Sequence, residues 1–206
     1  MLNFDVNNSN LAPNRYYDRY FNSEAVKISP GEYFATTQNT LIVTVLGSCV
    51  SVCLRDPVLG IAGMNHFLLP QDNYPQGGGT SESARYGVYA MEILINHLLK
   101  LGASKNRLEA KVFGGGNVLQ GFMTVNIGER NAEFVQDYLR MEHIPIIASD
   151  LLDVYPRKVY FFPDTGRVLV RKIKTMHNTT ILDRESEYKF KLRSQAMSGD
   201  VELFDD

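Results

Sequence analysis

Three short apolar runs follow one another between Leu41 and Leu69, and the turn separating the last two limits the folds open to this chain more than any other feature. Leu41 to Leu46 is β-branched and stops at Gly47-Ser48, which reads as a buried strand. Cys49 to Leu54 and Ile61 to Leu69 flank Arg55-Asp56-Pro57-Val58-Leu59-Gly60. Asp-Pro ahead of a glycine is turn chemistry, because proline pre-sets its own φ and glycine tolerates a reversed one, so the two runs read as a β-hairpin. Hairpin-linked strands are antiparallel neighbours, whereas a doubly wound parallel sheet needs a long crossover after each strand.

The remaining pattern agrees. From Ala84 to Leu101, residues Val88, Met91, Leu94, Ile95, Leu98 and Leu99 recur at helical spacing and Gly102 supplies the stop. A second helix is expected from Glu129 to Glu142, with Ala132, Val135, Tyr138 and Leu139 on one face and Pro145 barring continuation. Leu108 to Phe113, Ile144 to Ala148, Lys158 to Phe162 and Arg167 to Ile173 read as further strands, and Gln71 to Ser83 as a Gly/Ser/Pro loop. The expected class is α+β, with mixed or antiparallel sheets and two principal helices.

Composition sets the outer bounds. The chain has 206 residues, enough for one domain with its own core, and a formal net charge of -2 that leaves no broad electrostatic footprint for nucleic acid. No stretch approaches the roughly 18 apolar residues of a membrane span. The start, MLNFDVNNSN, lacks a basic, apolar leader, so a cytoplasmic location and two reduced cysteines are expected. The expected organisation is an arm over residues 1–25, whose Arg15 to Phe21 stretch is aromatic and basic, then a core domain over 26–173. A charged extension over 174–206 follows, ending Glu202-Leu203-Phe204-Asp205-Asp206.

The hairpin also carries the candidate chemistry. A turn centred between Pro57 and Val58 would set Cys49 directly opposite His66, within reach of a thiol–imidazole hydrogen bond. An imidazolium beside a thiol lowers its pKa, so the two could form a usable nucleophile. Ser51 and Cys53 would share the face of Cys49, and Val50, Val52 and Leu54 the opposite, apolar one. Gly47 and Ser48 bend the chain just ahead and could present backbone N–H groups to a developing oxyanion. An inert buried thiol and a structural imidazole are the plainer alternative. Cys53 reads as packing. Cys49, Cys53 and His66 make a poor zinc set, because His97, His143 and His177 are scattered. Gly114-Gly115-Gly116-Asn117 lacks the Lys-Ser/Thr of a phosphate loop, so close backbone approach is the better reading. Asn126 to Asn131 opens a helix, where Asn or Gly can serve as a cap.

In order along the chain, Leu46-Gly47-Ser48-Cys49-Val50-Ser51-Val52-Cys53-Leu54-Arg55-Asp56-Pro57 and Asn65-His66-Phe67-Leu68-Leu69-Pro70 resemble the CheD family of chemoreceptor glutamine deamidases. The likeness continues through Arg85-Tyr86-Gly87, Gly114-Gly115-Gly116, Asn126-Ile127-Gly128, Arg130-Asn131 and Gly166 to Arg171. The resemblance implies hydrolysis of receptor glutamine side chains to glutamate with release of ammonia. Cys49 would be the nucleophile and His66 the base. A threonine just upstream would be the third member; Thr44 is the candidate, and a backbone carbonyl is the alternative orienting group if the family position falls on Val43. The implied fold is a layered α/β-sandwich similar to the catalytic domain of deamidating bacterial toxins. Neither metal nor organic cofactor is implied. The implied partners are chemoreceptor cytoplasmic domains and a CheC-type response-regulator phosphatase, for which the chain could instead serve mainly as an adaptor.

Overall fold

Alternation along the strands produces two five-stranded sheets stacked face to face in this computed structural model, which describes residues 14–70, 82–117 and 127–174 with Asp183, 185–188 and Phe190 beyond. In chain order the strands are β1 (Asn14–Asp18), β2 (Ser23–Lys27), β3 (Tyr33–Thr36), β4 (Leu41–Leu46), β5 (Val50–Asp56), β6 (Ile61–Asn65), β7 (Glu109–Gly114), β8 (Ile146–Leu151), β9 (Arg157–Phe162) and β10 (Arg167–Lys172). Helix α1 (Glu82–Lys100) lies between β6 and β7, and α2 (Ile127–Met141) between β7 and β8. One sheet runs β1-β2-β4-β9-β10 and the other β3-β6-β5-β7-β8. Each contains one parallel pair, β2 with β4 and β7 with β8, among antiparallel ones, so the class is α+β with mixed sheets as expected.

The period of two sorts side chains into layers. Val50, Val52 and Leu54 of β5 turn toward the helices, where Met91, Leu94, Ile95 and Leu98 of α1 and Val135, Tyr138 and Leu139 of α2 meet them. Cys49, Cys53, Met64 and Phe113 turn inward to face Ile42, Leu46, Val159 and Phe161 of the other sheet. The outer face of that sheet is closed by Leu41, Val43, Tyr16, Phe21, Tyr160 and Phe162. Helix α1 ends where expected: Gly102, at φ +106°, lets Ala103 N–H reach back to the Leu98 carbonyl at 3.0 Å. No helix among the described residues is long and apolar enough to cross a membrane.

Three expectations change. Residues 14–25, expected in an arm, form β1 and most of β2, and the boundary drawn at Val26 falls within a strand. β3 is an additional strand within the stretch assigned only to the core domain. Residues 1–13, 71–81, 118–126 and most of the extension lie outside the described residues, so the Gly-rich loop, His177 and the acidic end lie there too.

The third change is the hairpin register. Asp56 pairs with Ile61 and Cys53 with Met64, so four residues form the loop and its centre lies between Val58 and Leu59. The fully buried Asp56 carboxylate widens the turn: Oδ1 accepts from Val58 N–H at 3.1 Å, while Gly60, at φ +67°, donates to the Asp56 carbonyl at 2.9 Å. On this register, which the Val50–Phe67 bridge continues, Leu68 is opposite Cys49 and Ser51 opposite His66. Cys49 and His66 are therefore diagonal neighbours on one face rather than a facing pair.

The Arg107 guanidinium, 2.6 Å from Asp56 Oδ2, holds that carboxyl far below the usual carboxylate range, and Ser104 N–H adds a bond at 3.0 Å. A depressed folded-state pKa gives stability that is present above the unfolded value of 3.8 and lost as pH falls beneath it. Asp56→Asn is accordingly expected to be less stable than wild type at pH 7 in urea denaturation, with the gap narrowing steadily below about pH 4.

Candidate active site

The loop between β4 and β5 is held by its carbonyls. Gly116 N–H donates to the Gly47 carbonyl, Asn131 Nδ2 to the Ser48 carbonyl and Gly115 N–H to the Cys49 carbonyl, each at 2.8 Å. A trans peptide is planar with C=O and N–H on opposite sides. Fixing the carbonyls of Gly47 and Ser48 therefore aims the amides of Ser48 and Cys49 the other way. Both amides converge on one atom, Glu185 Oε1, at 2.8 and 3.3 Å, and Ser48 Oγ donates to Glu185 Oε2 at 2.6 Å. Ser48, Cys49 and Glu185 are all buried.

The glycine run makes this possible by lacking side chains. A Cβ on Gly114, at φ +109°, would overlap the Cys49 carbonyl oxygen, and one on Gly128 would overlap the carbonyl of Gly115. Gly114 to Gly116 thus serve close backbone approach, as the missing phosphate-loop residues suggested. Asn131 lies inside α2 rather than at its cap. Its Oδ1 accepts from Leu69 N–H at 2.9 Å while Nδ2 holds Ser48, so one fully buried amide ties together the loop before Cys49 and the segment after His66.

His66 follows β6 immediately. Asn65 ends the ladder by turning its own amide into the hairpin, Oδ1 accepting from Val52 N–H at 2.9 Å and Nδ2 donating to the Ala90 carbonyl at 3.0 Å. The His66 backbone pairs instead with Glu32 and Gly31, donating to one at 2.9 Å and accepting from the other at 2.8 Å. Its ring faces the opposite sheet. There Thr44 Oγ1 lies 2.8 Å from His66 Nδ1 and 2.8 Å from the Ile28 carbonyl oxygen. A hydroxyl has one proton, and the carbonyl can only accept. Thr44 therefore donates to Ile28 and accepts from Nδ1–H, which leaves Nε2 as the unprotonated nitrogen. Nε2 is buried without a hydrogen-bond partner among the described residues. Val43, the neighbouring candidate position, points into the outer aromatic layer.

Burial pushes the His66 imidazole down to about 3, against the opposing pull of the Ile28 carbonyl. The resting ring is thus neutral at pH 7, not the imidazolium expected beside the thiol. Burial also pushes the Cys53 thiol up, which keeps it protonated and inert among its apolar neighbours. Neither cysteine is in a disulfide, and the described residues contain no cluster of three or more His, Cys, Asp or Glu placed to hold a metal. His97 is edge-on to Tyr33, apart from this site.

Sequence reasoning missed Glu185, which lies in the extension with no motif around it, and it read Asn131 only as a cap or as part of the resemblance. Asn131→Asp keeps an acceptor for Leu69 but sets a carboxylate against the Ser48 carbonyl. It is expected to lower stability by about 1–3 kcal/mol in urea denaturation, the cost of a buried polar group left without its partner.

The family model described as CheD chemotactic sensory transduction matches residues 68–172 and begins just past His66. A Shewanella oneidensis protein named "Probable chemoreceptor glutamine deamidase CheD 1" is 72% identical over 192 residues, covering 93% of each chain. Proteins of Methylobacillus flagellatus and Thiobacillus denitrificans, each named "Probable chemoreceptor glutamine deamidase CheD", are 61% and 60% identical over 94% of this chain and 96% of their own. Among solved structures, the Bacillus licheniformis hypothetical protein YfiH gives a TM-score of 0.39 at 14% identity, over 59% of this chain and 51% of that one. Half the chain matches the family model and nearly all of it matches these relatives: the chain belongs to the CheD family.

Proposed function

We propose that this protein is a chemoreceptor glutamine deamidase of the cytoplasm, converting receptor glutamine side chains to glutamate with release of ammonia. The observation that carries the reading is the convergence of two consecutive amides, of Ser48 and Cys49, on a single carboxylate oxygen beside a buried thiol. Donors so arranged suit the oxyanion of a tetrahedral intermediate formed on a side-chain amide. The names of the relatives point to the same substrate. The two facing mixed sheets also suit the layered sandwich of deamidating toxin domains that the family resemblance implies.

The chemistry follows from the protonation state. Cys49 Sγ attacks the carboxamide carbon while neutral His66 takes the thiol proton at Nε2. The Ser48 and Cys49 amides hold the oxyanion, and Gly47 contributes through its anchored carbonyl, which sets the direction of the first amide. The positive charge that develops on His66 is countered by the Thr44 oxygen, which is itself polarised by Ile28. The imidazolium returns its proton to the departing ammonia. A water deprotonated by His66 then cleaves the thioester, giving glutamate and the resting thiol.

The test is ammonia release with peptide mass mapping on purified chemoreceptor cytoplasmic fragments. Wild type is expected to convert particular glutamines, Cys49→Ala to convert none, and His66→Ala to be slower by about 10²–10⁴-fold, the usual contribution of a general base. If wild type converts no glutamine in several receptors yet binds a CheC-type phosphatase tightly, the adaptor reading replaces this one.

Thr44→Val should lower kcat by about tenfold, equivalent to one lost hydrogen bond, with KM unchanged. Thr44→Ser should restore it. ¹⁵N-histidine NMR should show His66 as a single Nδ1–H tautomer in wild type and as a mixture in Thr44→Val.

A further inference from the structure

The group in the candidate oxyanion site is chemically the end product of the proposed reaction. Glu185 reaches it from the chain's own C-terminal segment, 136 residues away from Cys49 in sequence. Its Oε1 occupies the place of the amide oxygen, between the Ser48 and Cys49 amides, and its Oε2 occupies the place of the amide nitrogen or of the incoming water, on Ser48 Oγ. The serine hydroxyl suits both species: it donates to a carboxylate and can accept from a carboxamide NH₂.

A second contact anchors the same segment. Residues 185–188 are helical, so Glu185 and Tyr188 share a face three residues apart. The Tyr188 hydroxyl meets that of Tyr86, and its ring lies over Gly31, where a Cβ would fall 2.6 Å from the Tyr188 oxygen. Gly31 in turn donates to the His66 carbonyl, so the aromatic anchor and the carboxylate bracket the two candidate catalytic residues. Tyr188 also packs against the layer between the sheets that contains Cys49. Glu187, between the two anchors, is exposed.

Resting on the deamidase reading for the chemical meaning of the site, we propose that residues 185–188 are an internal product. The site takes a glutamine or glutamate side chain delivered from a helical segment with an aromatic residue three positions on, and this chain fills it with its own Glu185 in competition with receptor. A carboxylate there and a tetrahedral oxyanion need the same two amides, so receptor turnover requires the segment to leave.

Two measurements test this. The first does not depend on deamidation: alkylation of Cys49 by iodoacetamide, mapped by mass spectrometry, in wild type, Glu185→Ala, Tyr188→Ala and the exposed-site control Glu187→Ala, with thermal unfolding to check each fold. Cys49 should react at least about tenfold faster in the two anchor variants than in wild type or Glu187→Ala. The second turns the occupant into substrate. In Glu185→Gln, Cys49 Sγ bonds to the carboxamide carbon introduced at position 185, the C–N bond breaks, and ammonia leaves with the proton that His66 carries. Water then frees the carboxylate. Position 185 should gain about 1 Da with one ammonia released per chain, and should keep its carboxamide in the double variant Cys49→Ala/Glu185→Gln.

If receptor glutamines are converted but the carboxamide of Glu185→Gln is not, and Cys49 alkylates equally fast in wild type and both anchor variants, the internal product is overturned while the deamidase reading stands. If alkylation accelerates as expected while neither receptor glutamines nor the carboxamide at position 185 react, the seating of the segment stands and the deamidase reading falls.

Discussion

Everything at the candidate site depends on the direction of two peptide planes. The carbonyls of Gly47, Ser48 and Cys49 are each claimed from behind, by Gly116, Asn131 and Gly115, and the amides of Ser48 and Cys49 face forward as a result. This explains features that otherwise look unrelated. The glycines at the end of β7 must lack side chains because their amides reach the loop at hydrogen-bond distance, and Gly128 must lack one because α2 begins against Gly115. Asn131 sits within α2, where its one amide reaches both Ser48 and Leu69.

The second requirement is that two sheets stack at a fixed distance. Thr44 belongs to one sheet and His66 to the end of a strand in the other, so the hydrogen bond that selects the imidazole tautomer spans the core of the sandwich. The Ile28 carbonyl, just past β2, completes that bridge. The stretch whose composition suggests an arm is therefore next to the parts that hold the site. β2 pairs in parallel with β4, and Ile28 N–H continues the pairing to the Val43 carbonyl at 2.9 Å.

What was legible in the sequence was local. Leu41–Leu46 is a strand because six consecutive apolar or β-branched residues between turn signals have few alternatives, and α1 and α2 follow their apolar stripes to within two residues. The face shared by Cys49, Ser51 and Cys53 was readable from parity alone. The register was not, because the turn width depends on a buried aspartate whose partners, Ser104 and Arg107, lie about fifty residues away. β1 and β2 were obscured by exposed positions: Arg15 and Tyr17 are exposed on β1, the edge strand, and Glu24 lies on β2 beside it, where the buried stretch is only Ala25-Val26. Glu185 could not be found by any local rule. An acidic residue in a charged extension gains meaning only when the fold places it before two converging amides.

Those amides also bear on inheritance. They belong to the main chain, and substitutions that merely trim or swap side chains at positions 48 and 49 leave the N–H donors in place. On the proposed mechanism, a descendant that lost the thiol would forfeit the covalent steps at once and still keep the two amides that receive a carboxylate oxygen. In that proposal binding and chemistry are separable by a single codon, so recognition can outlive the reaction in a duplicated gene.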